Sequence, residues 1–115
     1  MALNDTLLNI GADAMATAAA YLSIHTDVPD ATGSNESTAA RVAADWPSAS
    51  GSGDVSISNK SFTGGAASGP AKYVGLWSAS SGGTFYGAYA LTGDQAFNAA
   101  GQYTLTSLTL DGSSS

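Results

Sequence analysis

Apolar residues at helical spacing open the chain. Leu7, Ile10, Ala14 and Ala18 recur every three or four positions, and Leu8, Met15, Ala19 and Leu22 widen the stripe. Asn4 or Asp5 can cap the N-terminus, where an acidic side chain also suits the helix dipole. Gly11 costs the helix about 1 kcal/mol relative to Ala. The run predicts a helix ending near Ala20, with a smooth Ala-rich face suited to close packing. At Tyr21 the period changes. Leu22, Ile24 and Thr26 alternate with Tyr21, Ser23 and His25, the pattern of a strand, and the turn formers from Asp27 to Glu36 then make a loop.

Short alternating runs fill the rest. Ala40, Val42, Ala44 and Trp46 alternate with Arg41, Ala43 and Asp45, predicting a strand with Trp46 at its inner end, and Pro47 to Asp54 is a second turn-rich loop. Val55 and Ile57 make one strand, and Ser61-Phe62-Thr63 another after an Asn59-Lys60 turn. Beyond the Gly64–Pro70 connector, Ala71–Ser78 and Thr84–Leu91 form the clearest hairpin, joined by Ala79-Ser80-Ser81-Gly82-Gly83. Gly75 and Gly87 inside these strands mark bulges or close backbone approach. After Asp94-Gln95-Ala96-Phe97 and an Ala100-Gly101 turn, Tyr103–Leu110 gives a last strand. The expected fold is mainly β, an antiparallel β-sandwich of about six or seven short strands with an N-terminal α-helix. One domain spans residues 1–115, with the helix over 1–20, the sandwich over 21–110 and a short polar tail over 111–115.

Charge narrows the partners. Three Lys and Arg against nine Asp and Glu leave a net charge of −6 on 115 residues. Arg41, Lys60 and Lys72 cannot line a phosphate groove, which argues against binding to nucleic acid or anionic lipid. Only 10% of residues are charged, against roughly 25% in an ordinary soluble domain. Small neutral polar side chains suit packing against other subunits, because few charges must be desolvated there. A plain soluble domain with a bland surface is the simpler alternative. The N-terminus lacks the basic stretch of a signal peptide, and Ala14–Ile24 is far shorter than the ~20 residues of a membrane span. Synthesis in a cytoplasm without membrane insertion is expected.

Candidate chemistry is sparse. The chain has no Cys, and His25 is its one imidazole. Asp27, two residues on, would share a strand face with His25, so a His–carboxylate pair is one reading. A strand-end His bonded to the backbone of the following loop is the other, and it fits better. Asp27, Asp30 and Glu36 with Asn35 offer oxygen ligands, but Val28 and Pro29 break the spacing of a calcium loop, and an Asx-turn loop suits the residues better. No G-x-S-x-G or phosphate-binding glycine loop occurs. No catalytic residue, cofactor or metal ligand is therefore expected. Trp46, Trp77, Tyr73, Tyr86 and Tyr89 are candidate sugar platforms, with Trp46, Trp77 and Tyr86 the preferred glycan contacts. A small sandwich nevertheless needs most such rings in its core.

Leu22-Ser23-Ile24-His25-Thr26-Asp27, then Pro29 and Thr32-Gly33-Ser34-Asn35-Glu36, resembles a signature of small tail-fibre or minor tail proteins of tailed phages infecting actinobacteria. Arg41 and Trp46-Pro47-Ser48-Ala49-Ser50-Gly51 are similar to that family's next block. Gly75-Leu76-Trp77-Ser78, continuing through Gly82-Gly83 to Thr84-Phe85-Tyr86-Gly87, is the strongest match, and Ala100-Gly101-Gln102-Tyr103-Thr104-Leu105 resembles its closing strand. Val28 stands where the family tends to carry Asp. The resemblance implies a non-enzymatic structural protein of the virion, made in the host bacterial cytoplasm, with copies of itself and other virion proteins as partners. The helix face Leu7, Ile10, Ala14 and Ala18 is the expected assembly surface. A capsid decoration protein on the head lattice is the alternative within that class. A host-surface module binding cell-wall glycan is the alternative from another.

Overall fold

The computed structural model describes residues 4–50, 54–92 and 95–111. Residues 112–115 of the expected tail, residues 51–53 of the second loop and Asp94 lie outside the described residues. The elements are α1 (Asp5–Ala18), β1 (Tyr21–His25), β2 (Val42–Ala43), β3 (Asp54–Phe62), β4 (Tyr73–Trp77), β5 (Phe85–Ala90) and β6 (Tyr103–Asp111). They form a four-stranded sheet in the order β2-β1-β4-β5 and a two-stranded sheet of β3 and β6, with every pairing antiparallel. The fold is mainly β with an N-terminal helix, as the alternation predicts.

Asn4 caps α1, its Oδ1 accepting the Leu7 N–H at 2.9 Å. Leu8, Ala12 and Ala16 are the buried residues of the helix, which lies nearest β3 and β6. Both sheets feed one core: Leu22, Ile24, Val74 and Leu76 from the larger, Val55, Ile57, Phe62 and Leu105 from the smaller. The central strands β1 and β4 are buried at four of five positions each, and in β1 two of those positions are the polar Ser23 and His25.

Two strand expectations need correction. The strand expected over residues 40–46 pairs only at Val42–Ala43, because Asp45 takes a left-handed backbone (φ 53°) and turns the chain away. Val55–Ile57 and Ser61–Phe62 belong to one strand, with no turn between them. Asn59 adopts φ 56° within it, yet the register against β6 is the same on both sides, with Ser58 opposite Ser107 and Lys60 opposite Leu105. Both strands exchange faces across this point. Val55 and Ile57 are buried before it and Phe62 after it, while Tyr103 and Leu105 give way to Leu108 and Leu110.

The hairpin glycines do what their positions suggest. Leu76 pairs with Gly87 but Trp77 with Phe85, so Tyr86 is the extra residue of a bulge, beside Gly87 at φ 143°. At Gly75 a β-carbon would lie 2.5 Å from Nε2 of His25 and 2.6 Å from Oγ of Ser23. The strand is bare there to admit those side chains.

Candidate functional site

Ser23 and His25 point to the same side of β1 and are fully buried, Ser23 Oγ lying 2.6 Å from His25 Nε2. The other ring nitrogen, Nδ1, is 2.8 Å from the Ser34 carbonyl. A carbonyl only accepts, so Nδ1 carries the proton and Nε2 accepts from the Ser23 hydroxyl. Ser23 Oγ in turn accepts the Trp77 indole N–H at 2.8 Å. The chain of donors runs Trp77 to Ser23 to His25 to Ser34, and every member is satisfied. Burial, above all, holds the imidazole below its ordinary pKa, and Arg41 adds to this, while the Ser34 carbonyl and Glu36 oppose it.

The loop between Asp27 and Glu36 is fastened over this cluster. Gly33, at φ 81°, passes so close to Trp77 and Phe85 that a β-carbon would sit 2.6 Å from the indole ring. Only glycine fits. Asp30 closes an Asx turn through the Thr32 N–H at 2.9 Å and the Thr32 hydroxyl at 2.6 Å. Those bonds, the hydroxyl's first, lower its pKa. Glu36 takes Arg41 in a two-pronged pair at 2.9 and 3.0 Å. Arg41 also donates to the Ala79 and Gly82 carbonyls of the β4–β5 turn and lies 3.6 Å over the Trp77 ring. One side chain thus ties loop, hairpin turn and core ring together.

This arrangement decides several sequence expectations. His25 bonds to the backbone of the following loop, as the second reading has it. The His25–Asp27 pair does not form, since Asp27 Oδ1 accepts the Val28 N–H instead. Asp30 and Glu36 have separate partners, and no group of three or more acidic or imidazole side chains among the described residues could hold a metal ion. Ser23–His25 has the spacing of a nucleophile and its base. It is sealed from solvent, however, and its oxygen is capped by Trp77. Trp77 as a glycan contact is corrected: it is buried, packed on Phe85 with ring centroids 5.0 Å apart and covered by Arg41. The role of Ser23 was not anticipated. The signal for it is the Ser-x-His spacing, which puts both side chains on one strand face.

Two open surfaces lie elsewhere. The expected assembly residues Leu7, Ile10, Ala14 and Ala18 all face outward from α1, Leu7 at 50% and Ile10 at 61% exposure. Ala14 and Ala18 continue with Met15 into a groove of about 520 Å³ against Leu76, Tyr86, Tyr89 and Leu110. The Gly87 bulge brings Tyr86 and Tyr89 to the same groove, although strict alternation would send them to opposite faces. No charged side chain lines it. On another side of α1, a cleft of about 470 Å³ opens between the helix and the chain from Ala43 to Ser48. Half-buried Trp46 lines it, with its indole N–H donating to the Ala19 carbonyl at 2.8 Å.

The Ser23–His25 cluster is enclosed and fastens loops, and the apolar groove, which no charged side chain lines, lies apart from it. The comparisons give the family. A family model described as podophage GP4 fiber I protein gp80 matches residues 2–113, and the chain belongs to that family, which places it among phage tail-fibre structural proteins of the virion. No protein of curated function and no solved structure matches the chain. No helix among the described residues is long and apolar enough to cross a membrane.

Proposed function

We propose that the chain is a non-enzymatic tail-fibre subunit that associates with copies of itself, and with other tail proteins, through the outward face of α1 and the groove beside it. The apolar surface carries this reading. Leu7, Ile10, Met15, Tyr86 and Tyr89 are 50, 61, 44, 51 and 41% exposed. Side chains of this size leave on the order of 500 Å² in water, near the upper end of the patch an ordinary monomer shows. One side of a standard interface takes about 800 Å².

A second copy is the occupant this surface suits. Each copy carries a net charge of −6, and two such bodies repel unless they meet where charges are absent. Leu7, Ile10, Ala14 and Ala18 supply such a face at heptad-like spacing, and small residues at 14 and 18 let a second helix approach closely. Membership in a fibre family favours the tail over the capsid lattice. Light scattering after size exclusion tests the proposal. The protein is expected to run as an oligomer and Leu7→Asp as a folded monomer with unchanged circular dichroism. A monomeric parent protein at high concentration, or a Leu7→Asp oligomer of the parent's size, overturns it.

A further inference from the structure

We propose that the cleft between α1 and the Ala43–Ser48 segment binds a neutral pyranose. This site lies apart from the assembly groove, and its argument stands without the assembly reading. Its volume of about 470 Å³ falls within the ~300–1,000 Å³ of small-molecule sites. The space exists because Ala16, Ala20 and Ala43 present only methyl groups to it.

The lining suits a sugar. Trp46 and Tyr21 bring aromatic surface to the cleft, and each is only half-buried. The bond from the Trp46 indole N–H to the Ala19 carbonyl fixes the ring without using its faces. An apolar pyranose face stacks on such a ring. Asp13, Asp45, Thr17 and Ser48 surround it with acceptors and hydroxyls for the sugar's edge. Asp13 uses Oδ1 to hold the Ala49 N–H at 2.7 Å. Asp45, with a side chain 80% exposed, has Lys60 Nζ 3.6 Å from its Oδ2.

Charge selects among ligands. Two carboxylates in the lining disfavour uronic acids and phosphorylated polymers. Asp45 already has the Lys60 ammonium beside it, which weakens its pull on a further cation, and Asp13 is held in place as an acceptor by the Ala49 amide. A neutral sugar needs no opposite charge. It requires an aromatic face and acceptors, and both are present.

The test is a titration of the isotope-labelled protein by two-dimensional NMR with neutral methyl glycosides of glucose, galactose, mannose and N-acetylglucosamine. Methyl glucuronide and choline serve as charged comparisons. The Trp46 indole signal and the amides of Thr17, Asp45 and Ser48 are expected to shift saturably at millimolar concentration with at least one neutral glycoside. The Trp77 indole, enclosed in the core, should stay still. Trp46→Ala is expected to weaken binding about tenfold. Asp45→Asn, which tolerates the left-handed backbone at that position, should weaken it about fivefold. Absence of saturable shifts with all four neutral glycosides overturns the proposal. So do shifts away from the cleft, or an equal response to methyl glucuronide or choline.

Discussion

At the scale of single residues, the Ser23–His25 cluster admits one proton arrangement without an unpaired buried group. Charging the ring would put a proton on Nε2, and Ser23 Oγ would then face two donors, His25 and Trp77, with its own hydrogen stranded. Burial already lowers the pKa of His25 in the folded state. The unfolded chain therefore binds a proton first as pH falls, and stability is lost on acidification. A melting temperature flat above about pH 6.5 and falling as pH drops through the folded value is expected. His25→Gln should lower the whole curve and flatten this imidazole contribution. An unchanged acid slope in His25→Gln would remove His25 as its source. Ser23→Ala leaves the Trp77 N–H and His25 Nε2 unpaired and should cost about 1–3 kcal/mol, read by urea denaturation.

The same cluster shows what a sequence reveals of a site. Ser23, His25, Gly33, Glu36, Arg41, Gly75 and Trp77 all stand in segments that carry the family resemblance, and the fold brings them into one assembly of contacts. The strand-end role of His25 was legible because its neighbours are turn formers. The capping of Ser23 by Trp77 was not, since 54 residues separate the partners. Trp77 is a candidate glycan contact in a sandwich that needs most such rings in its core, and its burial beneath Arg41 places it in the core.

At the scale of elements, the helix shows where pattern runs out. Its cap and length follow from Asn4 and the apolar spacing. Its orientation does not, because Leu7, Ile10 and Ala14 on one face and Leu8, Ala12 and Ala16 on the next are both apolar. The sheet takes the second face. The exchange of faces in β3 and β6 was written in the sequence as Tyr103 and Leu105 against Leu108 and Leu110. In β3 the exchange is hidden because Asn59-Lys60 also suits a turn. The bulge at Tyr86 was foreshadowed by Gly87.

Two glycine substitutions separate these influences. Gly11 faces open space, with nothing within 4 Å of an added β-carbon. Gly11→Ala should therefore stabilise the protein by about 1 kcal/mol through helix propensity. Gly75→Ala forces a methyl into Ser23 and His25 and should destabilise by about 1–3 kcal/mol. Thermal and urea unfolding of both variants checks the opposite signs. A Gly75→Ala protein as stable as its parent would mean the cluster yields without cost.

At the scale of the whole molecule, a body of 48 × 26 × 22 Å gathers the Ser23–His25 cluster and the Arg41–Glu36 pair around the loop from Asp27 to Glu36. It leaves apolar surface along α1 and β5. An isolated protein gains little from such a surface. An assembled one uses it. Composition pointed the same way, since a surface with so few charges can be covered at low desolvation cost.

The central claim, assembly into the tail fibre through the outward face of α1, is tested most directly by cryo-electron microscopy of the intact phage particle. The account predicts density for this chain within the tail fibre, with Leu7, Ile10, Ala14 and Ala18 covered by neighbouring subunits. Density on the capsid lattice, or a fibre in which every copy leaves that helix face open to solvent, would contradict it.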